Sequence, residues 1–313
     1  RAVRFTAQLG FKIEPDTLEA IKKNHELLKA VSKERIRDEL MGMINSPDAD
    51  KGIDILLETG LLKFVLPELI EGVDVGQNKH HIYSVWEHNL RALRYACDQN
   101  YSFEVRMASL LHDVGKPRSK RGEGPDSTFY GHEMIGANMT AQVMDRLRFS
   151  QKQAEKIVRL VRYHLFYYNV GEVTESSVRR LVANIGKENV EDLIKVREAD
   201  RIGSGVPKAK PYKLRHLQFM IDKVARDPIS PKMLKVNGED IMKLLEIKPG
   251  PRVGLIMNAL MNEVLDDPGK NEQDYLESRV KELNQLPEAE LVELGQIGKE
   301  KTAMEEEKEV GKI

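Results

Sequence analysis

Cysteine is almost missing from this sequence: Cys97 is the only one in 313 residues. No intrachain disulfide can form, which excludes a disulfide-stapled scaffold and fits a reducing, cytoplasmic compartment. Excess charge of either sign is missing too. The 49 basic and 50 acidic residues leave a net charge of −1, so nucleic-acid binding must come from local patches. Long apolar runs are absent: Leu61–Leu62 and Phe64–Val65–Leu66 are broken by Lys63 and Pro67, far short of a membrane span. There is no signal-peptide pattern and no convincing alternating strand. What is present is 41% hydrophobic and 32% charged residues, enough for a sizeable core and a solvated surface in two or three domains. The chain begins with Arg1 and not with methionine, which leads us to expect part of a longer polypeptide.

Apolar spacings of three and four, punctuated by glycine and proline, predict helix almost throughout, hence an all-α fold. Asp16-x-x-Glu19 after Pro15 and Ser84-x-x-Glu87 read as capping boxes, the second opening the helix that carries His88. Ser46 followed by Pro47 reads as a helix start, and Gly60, Gly115, Gly186 and Gly238 read as stops. Three stretches differ in content. Residues 1–75 are amphipathic helices of balanced charge, and residues 80–205 carry His88, His112, His132 and His164 in series. Residues 206–313 start with a basic, proline-containing stretch and end in the charged tail Lys299–Ile313. Lys120–Phe129, with two glycines and a proline, reads as an exposed loop.

His112–Asp113 is the strongest chemical signal. Neighbours on a helix point about 100° apart, so both can face one point only where the helix ends. Gly115 and Pro117 supply that ending, and there an imidazole and a carboxylate can converge on a divalent cation. His88, His132, His164 and Asp200 follow at helix-sized intervals, as a site inside a helical bundle requires. Taken singly each has a plainer role: His132 at a helix start, His164 as a hydrogen-bonded core histidine, Asp200 paired with Arg201. His25, His80, His81 and His216 fall outside the series.

The order His…His-Asp…Asp resembles the HD superfamily of metal-dependent phosphohydrolases, which are all-helical. Glu87–His88, Leu110–Leu111–His112–Asp113–Val114–Gly115–Lys116–Pro117, Gly131–His132–Glu133 and Ala199–Asp200–Arg201 resemble the HD domain of bacterial class II tRNA nucleotidyltransferases. The resemblance implies a metal held by His88, His112, Asp113 and Asp200, with His132 and His164 matching the extra ligands of two-metal members. Magnesium, manganese, nickel, cobalt and iron suit such nitrogen and oxygen donors. Asp113 is expected to orient the attacking water and Lys116 to neutralise a phosphate oxygen. His132 and His164 would bind a second metal or donate to the leaving group.

Arg1–Ala2–Val3–Arg4–Phe5–Thr6–Ala7–Gln8–Leu9–Gly10–Phe11, continued at Thr17, Ser32–Ile36 and Glu39–Leu40, resembles the end of the neck in CCA-adding enzymes and bacterial poly(A) polymerases. It implies neck and nucleotide roles for Arg1, Arg4, Glu34 and Arg35. Read from the residues, Arg1 and Arg4 share a helical face on which Glu34, Arg35 and Glu39 could form an ion-pair network, or an ordinary solvated surface. The family's head, with its strand-borne aspartates and the Glu-Asp-x-x-Arg element, is not found in these 313 residues. We therefore expect no nucleotide addition, and no use of ATP or CTP, without a head supplied in a longer chain or by a separate polypeptide.

Arg201, Lys208, Lys210, Lys213 and Arg215 form a basic run without an acid. Lys116, Arg118, Lys120 and Arg121 form a second cluster, and Arg146, Arg148, Lys152, Lys156, Arg159 and Arg162 a third. In a nearly neutral chain they suggest a polyanion across the site, a tRNA or another RNA 3′ end. Lys208, Lys210, Lys213 and Arg215 are the expected RNA contacts. Pro249–Gly254 resembles the family's carboxyl-terminal body, where Arg252 at a helix start could hold an RNA phosphate. The functional expectation is the body and tail of a tRNA nucleotidyltransferase-like protein whose HD site hydrolyses a phosphomonoester or a 2′,3′-cyclic phosphodiester. A stand-alone HD nucleotide phosphohydrolase and a non-catalytic RNA-binding adaptor are the alternatives.

Overall fold

The computed structural model describes residues 1–77, 82–166, 168, 170 and 173–295. His80, His81 and the tail Lys299–Ile313 lie outside the described residues. The described part is helical, with α1 Ala2–Leu9, α2 Pro15–Asn24, α3 Lys33–Ile44, α4 Ala49–Glu58 and the single turns α5 Leu62–Val65 and α6 Pro67–Ile70. Then come α7 Val85–Asp98, α8 Phe103–Leu111, the turn α9 Lys116–Ser119, α10 His132–Arg146 and α11 Gln151–Tyr163. There follow α12 Glu175–Ile185, α13 Val190–Gly203, α14 Tyr212–Val224, α15 Gly238–Leu245, α16 Pro251–Asp266 and α17 Gln273–Leu283, and residues 288–295 are helical as well. Among the described residues there is no sheet; an isolated bridge joins Arg121 and Thr128 at the base of the expected loop. The all-α expectation holds.

Two compact units form: Arg1–Leu165 with Glu188–Lys210, and Phe166–Lys187 with the described part of Pro211–Ile313. This partition differs from the three stretches read in the sequence. The stretches 1–75 and 80–205 share the first unit, except that α12 leaves it. Its apolar face, Val178 and Val182, is buried where α12 packs on α14 and α16. Packing of a helical face, and not proximity along the chain, decides membership.

In the first unit α7, α8 and α13 pack on one another, and α11 packs on α8 and α10. Small residues allow the closest of these approaches. Ala92 and Ala96 on α7 and Ala199 on α13 are fully buried together. One turn further on, a Cβ on Gly203 would stand 2.9 Å from the His88 carbonyl and 3.1 Å from the Ala92 nitrogen. That seam brings Asp200 beside His88. Arg106 ties the amino-terminal helices to the bundle: its buried guanidinium donates to the carbonyls of Ile44 (3.1 Å), the last residue of α3, and Ser46 (3.2 Å) just past it. In the second unit Arg179 does the same, donating to Leu265 (2.7 Å) and Asp266 (3.0 Å) carbonyls at the end of α16 and to Asp227 (2.9 Å).

Several local signals behave differently from expectation. Ser84 and Glu87 do form a capping box. At α2, however, Glu14 is the cap, accepting from the Asp16 and Thr17 amides, because Pro15 already occupies the first helical position. Ser46 starts no helix; its hydroxyl donates back to the Gly42 carbonyl at 2.7 Å, and α4 begins after Asp48. Gly238 opens α15 behind an Asn237–Asp240 capping box instead of closing a helix. Gly60 and Gly186 are stops with positive φ, whereas Gly115 has φ −80°. Its lack of a side chain serves contact: a Cβ there would lie 2.2 Å from the His132 carbonyl oxygen and 2.6 Å from the Gly136 nitrogen.

Candidate metal centre

Each expected ligand reaches the centre of the first unit from a helix end or its adjoining turn. His88 lies one turn past the Ser84–Glu87 cap. His112 follows the last residue of α8, and Asp113 begins the turn that leads to Lys116. His132 opens α10 after Gly131, whose φ of 71° sets the left-handed entry. His164 follows the last residue of α11, and Asp200 sits in the last turn of α13. All six are buried.

They converge as two linked groups. His88 Nε2 lies 2.9 Å from His112 Nε2 and 3.3 Å from Asp200 Oδ1. On the other side, His132 Nε2 and His164 Nε2 are 3.4 Å apart. Asp113 joins the two groups. Its Oδ2 is 3.1 Å from His88 Nε2 and 3.3 Å from His112 Nε2, while Oδ1 is 3.3 Å from His132 Nε2 and 3.6 Å from His164 Nε2. Within each of the sets His88, His112, Asp200 and Asp113, His132, His164, the donor atoms lie within 4.8 Å of one another. The chain order of these residues does not reveal that a single carboxylate faces both sets.

The donor chemistry fits divalent cations. His112, His132 and His164 each donate Nδ1–H to the carbonyl three residues earlier: Ser109 (2.8 Å), Phe129 (2.7 Å) and Val161 (2.7 Å). Such bonds fix the tautomer and turn the Nε2 lone pair toward the centre. For His112 and His164 the sequence signal for this device is a histidine one step past a helix end. Four inward imidazole nitrogens against two carboxylates, with no thiolate, make a borderline to hard site.

Without a cation the carboxylates must be satisfied by protons. Burial alone would depress His112, but the Asp113 and Asp200 carboxylates overcome it and raise its pKa to about 10. Burial, together with the positive potential of the neighbouring histidines, lowers His164 to about 4, so that imidazole is neutral. Asp113 and Asp200 are held well below the usual carboxylate range against their burial, Asp113 by His112 and Lys116 and Asp200 by Arg197 and the histidines. A cation must therefore displace the His112 proton. Its apparent affinity should rise about tenfold per pH unit through neutrality, with about one proton released per cation. Calorimetric titration in two buffers of different ionisation enthalpy checks this; a pH-independent affinity and no released proton would refute it.

Lys116 does not face open space. Its Nζ is buried, 2.7 Å from Asp113 Oδ2, and donates to Gln77 Oε1 at 2.6 Å, with the Phe129 ring centroid 5.6 Å away. Its ammonium is placed against Asp113 and Gln77 and not toward solvent. Gln77 is a residue the sequence did not single out; its amide nitrogen also donates to the Tyr83 carbonyl at 3.1 Å, next to the cap of α7. Arg197 is another, with Nη1 2.5 Å from Asp200 Oδ2.

The other expected sites lie elsewhere. Arg4 pairs with Glu39 at 2.7 Å. Arg1, Arg4 and Arg35 line a cavity of about 650 Å³ with apolar residues of α1, α3 and α4, which Glu34 does not line. Much of the basic surface read in the sequence is matched by acids distant along the chain: Arg118 by Glu71, Arg146 by Glu68, Lys156 by Asp192 and Arg162 by Glu133. Lys208 and Lys210 end the first unit, where Lys210 pairs with the buried Glu198 at 3.1 Å. Lys213 and Arg215 are exposed on α14 in the second. Arg252 takes a structural position: its guanidinium donates to the Asn284 side chain (2.9 Å) and to the Asn284 and Leu286 carbonyls (2.6 and 2.8 Å) beyond α17. These bonds commit Nε and Nη2 to the chain beyond α17.

Sequence families recognise both parts of the first unit. The family described as "Probable RNA and SrmB- binding site of polymerase A" matches residues 10–72, and the HD domain matches residues 85–204, spanning His88 to Asp200. The A-adding tRNA nucleotidyltransferase of Deinococcus radiodurans is 34% identical over 275 residues, 83% of this chain and 62% of that protein. The chain is thus similar to the body and HD region of tRNA nucleotidyltransferases. The CC-adding tRNA nucleotidyltransferase of Thermus thermophilus is 31% identical over 270 residues, 83% of this chain and 60% of that protein. The chain thus spans about three fifths of the length of these tRNA nucleotidyltransferases. The crystal structure of the Bacillus stearothermophilus CCA-adding enzyme in complex with CTP shares the fold, with TM-score 0.53 and 20% identity over 91% of this chain and 60% of that one. Among the described residues no helix is long and apolar enough to cross a membrane.

Proposed function

We propose that this tRNA nucleotidyltransferase body binds an RNA 3′ end and that its HD centre hydrolyses a phosphoester, a phosphomonoester or a 2′,3′-cyclic phosphodiester. The observation that carries the reading is the convergence of His88, His112, Asp113, His132, His164 and Asp200 with inward nitrogen and oxygen atoms in one buried centre. His88, His112 and Asp200 would hold one divalent cation and His132 and His164 a second, with the Asp113 carboxylate facing both sets. When bound, such cations stabilise phosphate charge as Lewis acids and lower the pKa of water. Asp113 orients the attacking water, and Lys116, fixed by Gln77, keeps that carboxylate ionised. His164 acts as ligand and not as proton donor, because its Nδ1 hydrogen is committed to Val161 and its low pKa leaves Nε2 bare near neutral pH.

Nucleotide addition, with ATP or CTP, we assign to a head domain carrying paired aspartates, joined to this body in one chain or bound to it as a separate polypeptide; such chemistry needs carboxylates for two-metal phosphoryl transfer. We place the reactions in the cytoplasm, where tRNA is found. Turnover of 2′,3′-cyclic AMP and para-nitrophenyl phosphate with nickel, cobalt, manganese or magnesium tests the hydrolase reading. Wild type should exceed His112→Ala by at least about 100-fold with one of these metals. Equal turnover with every metal would make the centre a structural staple and end the hydrolase reading.

A further inference from the structure

In the second unit, α14 shows two different faces. Leu214, Leu217 and Val224 are buried. On the opposite side, Tyr212 is three and four residues from Arg215 and His216, and Phe219 is four and three residues beyond them, which puts all four on one stripe. Tyr212 and Phe219 are each 62% exposed, so neither ring serves the core. His216 lies between them, with ring centroids 5.9 Å from Tyr212 and 6.1 Å from Phe219, and Tyr168 packs on it at 5.8 Å and hydrogen-bonds to its Nδ1. These rings are tilted, by 44–54°, and do not stack on each other.

We propose that the Tyr212–Arg215–His216–Phe219 stripe, backed by Tyr168, is a stacking platform for unpaired bases of an RNA. The inference deepens the RNA-binding reading and rests on it. Two exposed rings on the side of a helix away from its core are a surface that water penalises and a base would cover. Arg215 stands between the rings in the stripe, and Lys213 is the next exposed cation on the helix. Lys223 is paired with Glu175, at the far end. A second copy of the chain docked symmetrically on this stripe would bring Arg215 and Lys213 against their own kind, which disfavours a self-interface. A polyanion whose bases are unstacked complements both the rings and the charge. The sequence shows the basic run, but not that the aromatic residues beside it face away from the core.

The test uses the full chain, a short oligoadenylate and a blunt RNA duplex of the same length. Tyr212→Ala and Phe219→Ala should each weaken oligoadenylate binding about tenfold, with duplex binding and the salt slope unchanged. Tyr212→Phe should bind like wild type, and Arg215→Ala should lower the salt slope by about one. The thermal midpoints of these surface variants should match that of wild type, which separates lost stacking from lost folding. If oligoadenylate binds but the alanine variants bind it as tightly as wild type, or lose duplex binding equally, the platform is overturned and the RNA-binding reading stands. If wild type binds neither RNA, both fall. If the alanine variants instead abolish self-association in sedimentation, the stripe is an interface between copies and the proposal is overturned.

Discussion

Asp113→Asn is expected to empty the centre of metal and to reduce phosphoester turnover to the level of His112→Ala. Asparagine keeps the volume of the side chain but gives up its charge. Both donor sets then lose an anionic oxygen at once, because Oδ2 faces His88 and His112 while Oδ1 faces His132 and His164. Loss of a supporting group of a metal site costs roughly 10–100-fold, so losing an anion shared by two cations should cost at least about 100-fold in affinity. The change also leaves Lys116 buried 2.7 Å from a neutral amide, and removing one partner of a buried ion pair costs about 3–5 kcal/mol. Elemental analysis of purified wild type and variant reads the metal, and a denaturant titration with excess chelator reads the stability apart from the metal. Wild-type metal content and turnover in Asp113→Asn would remove Asp113 from the centre. Unchanged stability would instead remove the Lys116 pairing from the account.

Gly115→Ala should be among the most damaging changes that alter no charge or polar group. The added methyl carbon would meet backbone, the His132 carbonyl oxygen at 2.2 Å and the Gly136 nitrogen at 2.6 Å, and neither can swing aside as a side chain can. The turn after α8 and the start of α10 would have to separate, and with them Asp113 and His132. Overpacking of a core ordinarily costs about 1–3 kcal/mol, and a backbone-to-backbone clash belongs at or above the top of that range. For a domain of this size, about 3 kcal/mol lowers the thermal midpoint by roughly 6–12 °C. Differential scanning calorimetry measures it. A midpoint within about 1 °C of wild type would show that the turn absorbs the methyl group and that Gly115 is no contact glycine.

Gly115 also shows how far sequence reading reaches. Gly-x-Pro after an apolar run reads as a helix stop, and α8 does end there. The reason for glycine, however, is a neighbour that arrives from α10, about 20 residues away in the chain, and no local rule contains it. Ser46 and Gly238 misled for a related reason. A hydroxyl can donate back to a carbonyl as readily as it can accept an amide, and a glycine between two helices can belong to either one. The ion pairs of Arg118, Arg146, Lys156 and Arg162 were hidden likewise, since their acids lie on other elements.

The sequence by itself determined the all-α class, the residue types of the candidate centre and their chain order. It also placed Ser84 and Glu87 as a cap one turn ahead of His88. These are matters of periodicity, side-chain chemistry and neighbours within a turn or two, which a linear text records. Only the tertiary structure decided that Asp113 divides its two oxygens between two donor sets and that Lys116 is spent on Asp113 and Gln77. It alone turned Arg252 into a cap for α17, moved α12 into the second unit and set Tyr212 and Phe219 opposite the core face of α14. Each of these depends on which faces of distant helices meet. That is decided by burial of whole apolar surfaces and by the close approach that Ala92, Ala96, Ala199 and Gly203 permit, quantities that no single stretch of sequence carries.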